Sequence, residues 1–81
     1  MNKTYAGSIT DIDVLEFAIF CIENVATVLS VNAEWLYYAL TKKSDILYKY
    51  IVPNYEILHT QGKEYIVEDI IAVMKEEGVE V

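Results

Sequence analysis

An 81-residue chain with thirteen acidic residues, six lysines and no arginine, net charge −7, is limited to one domain and repels DNA, RNA and anionic membranes. The missing guanidinium groups also remove the side chain that best clamps phosphate and reads guanine. A single cysteine, Cys21, excludes an internal disulfide and a four-thiolate zinc site and suits a reducing compartment, so a cytoplasmic protein without membrane or nucleic-acid partners is expected.

Residues 1–9 read as a frayed leader, residues 10–78 as one helical domain, and residues 79–81 as a short tail. Asp11 or Thr10 can cap a first helix, with Asp13 and Glu16 near its positive end, running to about Leu29. Asp13, Glu16, Glu23, Asn24 and Thr27 gather into one polar strip. Ile12, Val14, Leu15, Phe17, Ala18, Ile19, Cys21, Ile22, Val25, Val28 and Leu29 cover more than half the circumference. A helix so apolar is central to its bundle or shares a flank with another molecule. Phe20 projects into the polar strip, either as an isolated exposed ring or as an anchor for a partner.

Ser30 or Asn32 caps a second helix, Ala33 to Lys43, with Ala33, Leu36, Ala39 and Leu40 inward and Tyr38 toward solvent. Ser44 caps a third, Asp45 to about Val52, burying Ile46, Leu47 and Ile51 and offering Tyr48 and Tyr50. Pro53 opens a short fourth helix, Asn54 to His59. His59, Thr60, Gln61 and Gly62 then form a tight corner in which Gly62 supplies the backbone freedom. The last helix spans Lys63 to Glu77, with Ile66, Val67, Ile70, Ile71, Val73 and Met74 on one side and Gly78 as its stop. Glu68, Asp69, Ala72, Lys75 and Glu76 take the other side, from which Tyr65 also projects. The expected fold is all-α, a compact bundle of four to five helices with the first and last the longest.

The runs YEILHTQGKEYIVEDI, LEFAIFCIENVA and LTKKSDILYKYIVPNYE resemble a small bacterial family known as domain of unknown function 3791. The resemblance covers about Val14 to Gly78, and the HTQG corner followed by Tyr65, Ile66 and Val67 is its most specific part. It names no reaction. It implies a short cytoplasmic protein, often encoded in mobile regions beside a protein with an ADP-ribosyltransferase-like look, a setting that suits an antitoxin or inhibitor of a toxin-like enzyme.

The residues themselves offer little chemistry. His59 is the only imidazole, and Ser30 and Ser44 serve better as caps than as nucleophiles, so no Ser-His-Asp set is indicated. With one histidine there is a single Glu-x-x-His spacing, Glu56 to His59, where a bundle metal site pairs two; no calcium loop or Gly-rich phosphate loop occurs, and Cys21 lies on an apolar face as a small core group. Neither catalysis, cofactor nor metal is expected first, and the corner His59, Thr60, Gln61 and Gly62 reads as structural, with a small-ligand or catalytic pocket around His59 as the alternative.

What remains is binding. Seven tyrosines and one tryptophan are many for so small a chain, and 54% hydrophobic residues exceed what its interior holds. A basic protein partner is expected to meet Phe20, Tyr38 and Tyr65, supported by Glu68, Asp69 and Glu76. The alternative is a homodimer closing the apolar flank of the first helix or the aromatic side of the second.

Overall fold

The computed structural model describes residues 11–80, and the leader expected at residues 1–9, the possible cap Thr10 and Val81 lie outside them. Four α-helices and one π-helical turn follow in order: α1 (Ile12–Leu29), α2 (Ala33–Thr41), the π turn (Leu47–Ile51), α3 (Tyr55–Leu58) and α4 (Lys63–Glu76). The all-α expectation holds, and α1 and α4 are the longest.

Helix α1 begins where Asp11 accepts the backbone N–H groups of Asp13 and Val14, at 2.9 and 3.4 Å. Its buried residues Phe17, Ala18, Cys21, Val25 and Ala26 recur at steps of one, three, four and one, a single stripe on a 3.6-residue helix. Helix α4 repeats the device with Ile66, Val67, Ile70 and Met74. The α1 stripe meets both α2 and α4, so α1 is the central element. Leu36, Leu40, Leu47, Ile51 and Ile70 complete the interior, and among the described residues no polar or charged side chain is buried.

Helices α1 and α4 end in the same way. Val31 N–H reaches back to Ala26 C=O and Val79 N–H to Met74 C=O, both at 2.9 Å, across a left-handed residue, Ser30 at φ 59° and Gly78 at φ 75°. Both valines then pack on the core. Ser30 therefore stops α1, and Asn32 caps α2 by accepting from Glu34 and Trp35.

Four expectations need correction. Ala33 is exposed, while Leu36, Ala39 and Leu40 alone form the inner face of α2, which closes at Thr41. The third helix is a π turn, with Val52 N–H bonding Leu47 C=O five residues back. Pro53 accounts for the widening, because it has no N–H for the Lys49 carbonyl and its ring crowds the turn before it. Tyr48 and Tyr50 are half-buried against the core rather than offered outward. Gly62 sits at φ −71°, ψ 159°, an ordinary extended conformation, with no atom close to a would-be Cβ, so the corner does not need its freedom.

Helices α1 and α2 meet at a bend of 114°, and among the described residues no single helix is long and apolar enough to cross a membrane.

The two glycines give a direct contrast. Gly78→Ala is expected to cost about 1 kcal/mol because an L side chain resists the left-handed region, whereas Gly62→Ala stays within about 0.5 kcal/mol of wild type. Ser30→Gly, which relieves the same strain, is expected to raise stability by up to about 1 kcal/mol in denaturant melts.

Candidate partner-binding surface

Because α1 buries one stripe only, its other faces are left outside. Ile12 is 61% exposed and Ile19 46%, with Leu15 between them at helical spacing. This strip continues into a shallow groove of about 270 Å³, where Ile19 and Ile22 of α1 face Ala33 and Tyr37 of α2, rimmed by Glu23 and Glu34. Nonpolar surface thus runs unbroken from one helix to the next.

The sequence-expected contacts fall on different parts of the molecule. Phe20, 36% exposed, stacks at 6.3 Å on Phe17, whose buried ring meets the edge of Tyr55 at 5.4 Å. His59 lies flat on Tyr55, 4.4 Å away and 11° from parallel, one helical turn along α3. These four rings line an open cleft of about 360 Å³, with Asp13 and Glu16 on the α1 wall and Gln61 at the corner. His59 and Gln61 are thereby brought to Phe20. Thr60 instead turns its hydroxyl to the Ile57 carbonyl at 2.7 Å and caps the end of α3.

Tyr38, 53% exposed, belongs to a second cluster, meeting Trp35 edge to face at 6.2 Å while Lys43 lies 5.2 Å over the tryptophan ring. Tyr65, 55% exposed, projects from α4 near Tyr50. Glu68 lines a third groove, of about 310 Å³, between the end of α1 and the start of α4, with Lys63 and Glu64 on its rim and Val28, Val67 and Ile71 along its floor. Glu76 is exposed near the end of α4.

Asp69 is taken up inside the chain. It accepts a short hydrogen bond from the Tyr50 hydroxyl and ties α4 to the π turn. That bond, then burial, then the Asp69 charge raise the Tyr50 phenol from its ordinary 10.0 to about 12. Burial alone pushes the Cys21 thiol from 9.0 to about 12, leaving it neutral and unreactive at neutral pH. At Tyr55, desolvation and the carboxylates of Asp13, Asp11, Glu56 and Glu16 push the phenol in the same direction. Among the described residues no three His, Cys, Asp or Glu side chains converge as metal ligands.

Asp13, Glu16, Phe17 and Tyr55 take part in the cleft without having been singled out as contacts. Each had a sufficient explanation in its own helix, as dipole partner, core residue or surface tyrosine. The spacings Asp13, Glu16, Phe20 and Tyr55, His59 did carry a signal, since residues three or four apart share a helix face.

A family model described as "Protein of unknown function (DUF3791)" matches residues 16–77 of the chain. No curated protein matches, and no solved structure matches.

Two titrations test the local chemistry. Native Cys21 is expected to resist thiol reagents at pH 8 and to react fully once the chain is unfolded. Tyr50 and Cys21 have raised folded pKa values, so the stability they contribute is whole below pH 9 to 10 and is lost as pH climbs through about 12. Tyr50→Phe should flatten that alkaline loss in denaturant melts and remove a phenol titrating at about 12 from the ultraviolet phenolate curve.

Proposed function

The chain belongs to the family described as protein of unknown function DUF3791, and we propose from the chemistry of its surface that it is an acidic protein-interaction module that binds and restrains a basic protein partner. The observation that carries this reading is the pairing of exposed apolar and aromatic side chains with carboxylates on a chain of net charge −7. Ile19 and Tyr37 border Glu23 and Glu34, and Phe20 borders Asp13 and Glu16. An aromatic ring supplies contact area at low entropic cost, and the surrounding charge steers a partner of opposite sign. An antitoxin-like or accessory role in the cytoplasm, acting by occupation of a toxin-like enzyme and not by catalysis, fits such a surface. Phe20, Tyr38 and Tyr65 serve as its rings, and Glu68 and Glu76 as its outlying charges; Asp69 contributes through the tie to Tyr50.

A second reading is favoured by one specific feature, the strip Ile12, Leu15 and Ile19. Exposed apolar residues in a row on one helix also suit closure by a second copy of the chain.

The two readings separate by experiment. Tyr65→Ser is expected to shift stability by no more than about 0.5 kcal/mol, as at ordinary surface sites, and Phe20→Ser, which loses the stacking on Phe17, to cost about 1–2 kcal/mol without unfolding the chain, while both weaken capture of a basic protein in a pull-down from the native host. Equal capture by wild type and both variants contradicts the proposal. In light scattering after size exclusion, a dimer that Ile19→Lys converts to a monomer would establish the second reading.

A further inference from the structure

The cleft between the first half of α1 and α3 differs in kind from the other grooves. Its lining combines four rings, Phe17, Phe20, Tyr55 and His59, with two carboxylates, Asp13 and Glu16, and includes no lysine. The groove between α1 and α4 includes Lys63, and the groove between α1 and α2 has one ring. The molecule also shows how its own cations use aromatic faces, since Lys43 sits 5.2 Å over Trp35. Among the described residues no lysine lies within ion-pair distance of Asp13 or Glu16, the pair formed being Lys49 with Asp45.

We propose that this cleft is the recognition site for an arginine side chain of the partner, the guanidinium stacking on the exposed rings and forking onto Asp13 and Glu16. The inference rests on the reading of the chain as a binder of basic protein and names the group it takes. Three features select guanidinium. Ring faces attract cations through their quadrupole, and a planar cation lies flat on them. Asp13 and Glu16, three residues apart on one helix face, supply acceptors that a forked donor can meet. Guanidinium is more weakly hydrated than the ammonium of lysine and so gives up less hydration when it lies against a ring face. Desolvation first, and then the charges of Asp13, Asp11, Glu56 and Glu16, disfavour ionisation of Tyr55, so the negative field reaches into the cleft.

None of these 81 residues is an arginine, so none of them is the occupant.

The test is an NMR titration of the full-length protein with three capped tripeptides of the form Gly-X-Gly, where X is arginine, lysine or citrulline. The arginine peptide is expected to shift the ring signals of Phe17, Phe20, Tyr55 and His59 saturably. Lysine should bind about threefold more weakly and citrulline, an uncharged isostere, about tenfold more weakly, the scale set by one exposed cation–π contact plus charge-assisted hydrogen bonds. Glu16→Gln and Phe20→Leu, both at exposed positions, should each weaken the arginine peptide by about threefold or more while keeping the backbone spectrum of the fold. Shifts scattered over the acidic face of α4 with the rings unmoved would overturn the site. Citrulline binding as well as arginine would overturn the role of charge, and lysine binding as well or better would overturn the choice of guanidinium. A basic protein held undiminished by Glu16→Gln and Phe20→Leu would remove the cleft and leave the interaction module standing. Uptake of the arginine peptide without capture of any basic protein would do the reverse.

Discussion

The structure depends on the packing of one stripe of α1, Phe17, Ala18, Cys21, Val25 and Ala26, against α2 and α4. Cys21 and Val25 are fully enclosed, as are Leu36 and Leu40 from α2 and Ile70 from α4. In a close-packed interior of this kind, truncating one such side chain costs on the order of 2–5 kcal/mol. That is a large share of the stability open to a small domain. Every other feature follows from what this seam cannot hold. A helix has one circumference, and its two partner helices leave Ile12, Ile19 and Val28 of it exposed.

The uncovered part is where the surface chemistry arises. Ile12, Leu15 and Ile19 flank the seam on one side, while Phe20 flanks it on the other and leans on Phe17. Phe17 is therefore shared between core and cleft: its ring is buried, yet it carries Phe20 on one side and the edge of Tyr55 on another. Tyr55 in turn carries His59. This continuity couples the interior to the proposed recognition surface, so the rings are held in place by packing and little conformational entropy would remain to be lost on binding. The Tyr50 to Asp69 bond performs a similar service on the far side, anchoring the π turn to α4.

Much of the fold was legible in the sequence because the periodicity was strong where it mattered. The stripes in α1 and α4, the cap Asp11 and the stop Gly78 were all read from residue type and spacing. The misses have identifiable causes. Residue type leaves both Ser30 and Asn32 open as the cap of α2; Asn32 takes that role, and Ser30 sits in a left-handed turn more often given to glycine. Pro53 was read as a helix start, and its effect on the turn before it, where the ladder widens to a π turn, was not visible from residue type. The cleft was half legible. Phe20 was marked by its position in a polar strip and His59 by its rarity, but that the two face each other depends on how α3 docks against α1, and docking is a tertiary fact. Asp69 reads as a surface charge from spacing alone, because nothing local shows that Tyr50 would reach it.

The central claim is that nonpolar surface left over from the α1 seam, framed by negative charge, is what this protein binds with. Calorimetry with the proposed basic partner, repeated over a range of temperatures and salt concentrations, tests it most directly. The account predicts a negative heat-capacity change from apolar burial, together with affinity that falls as salt rises. A heat-capacity change near zero, or affinity indifferent to salt, would contradict it.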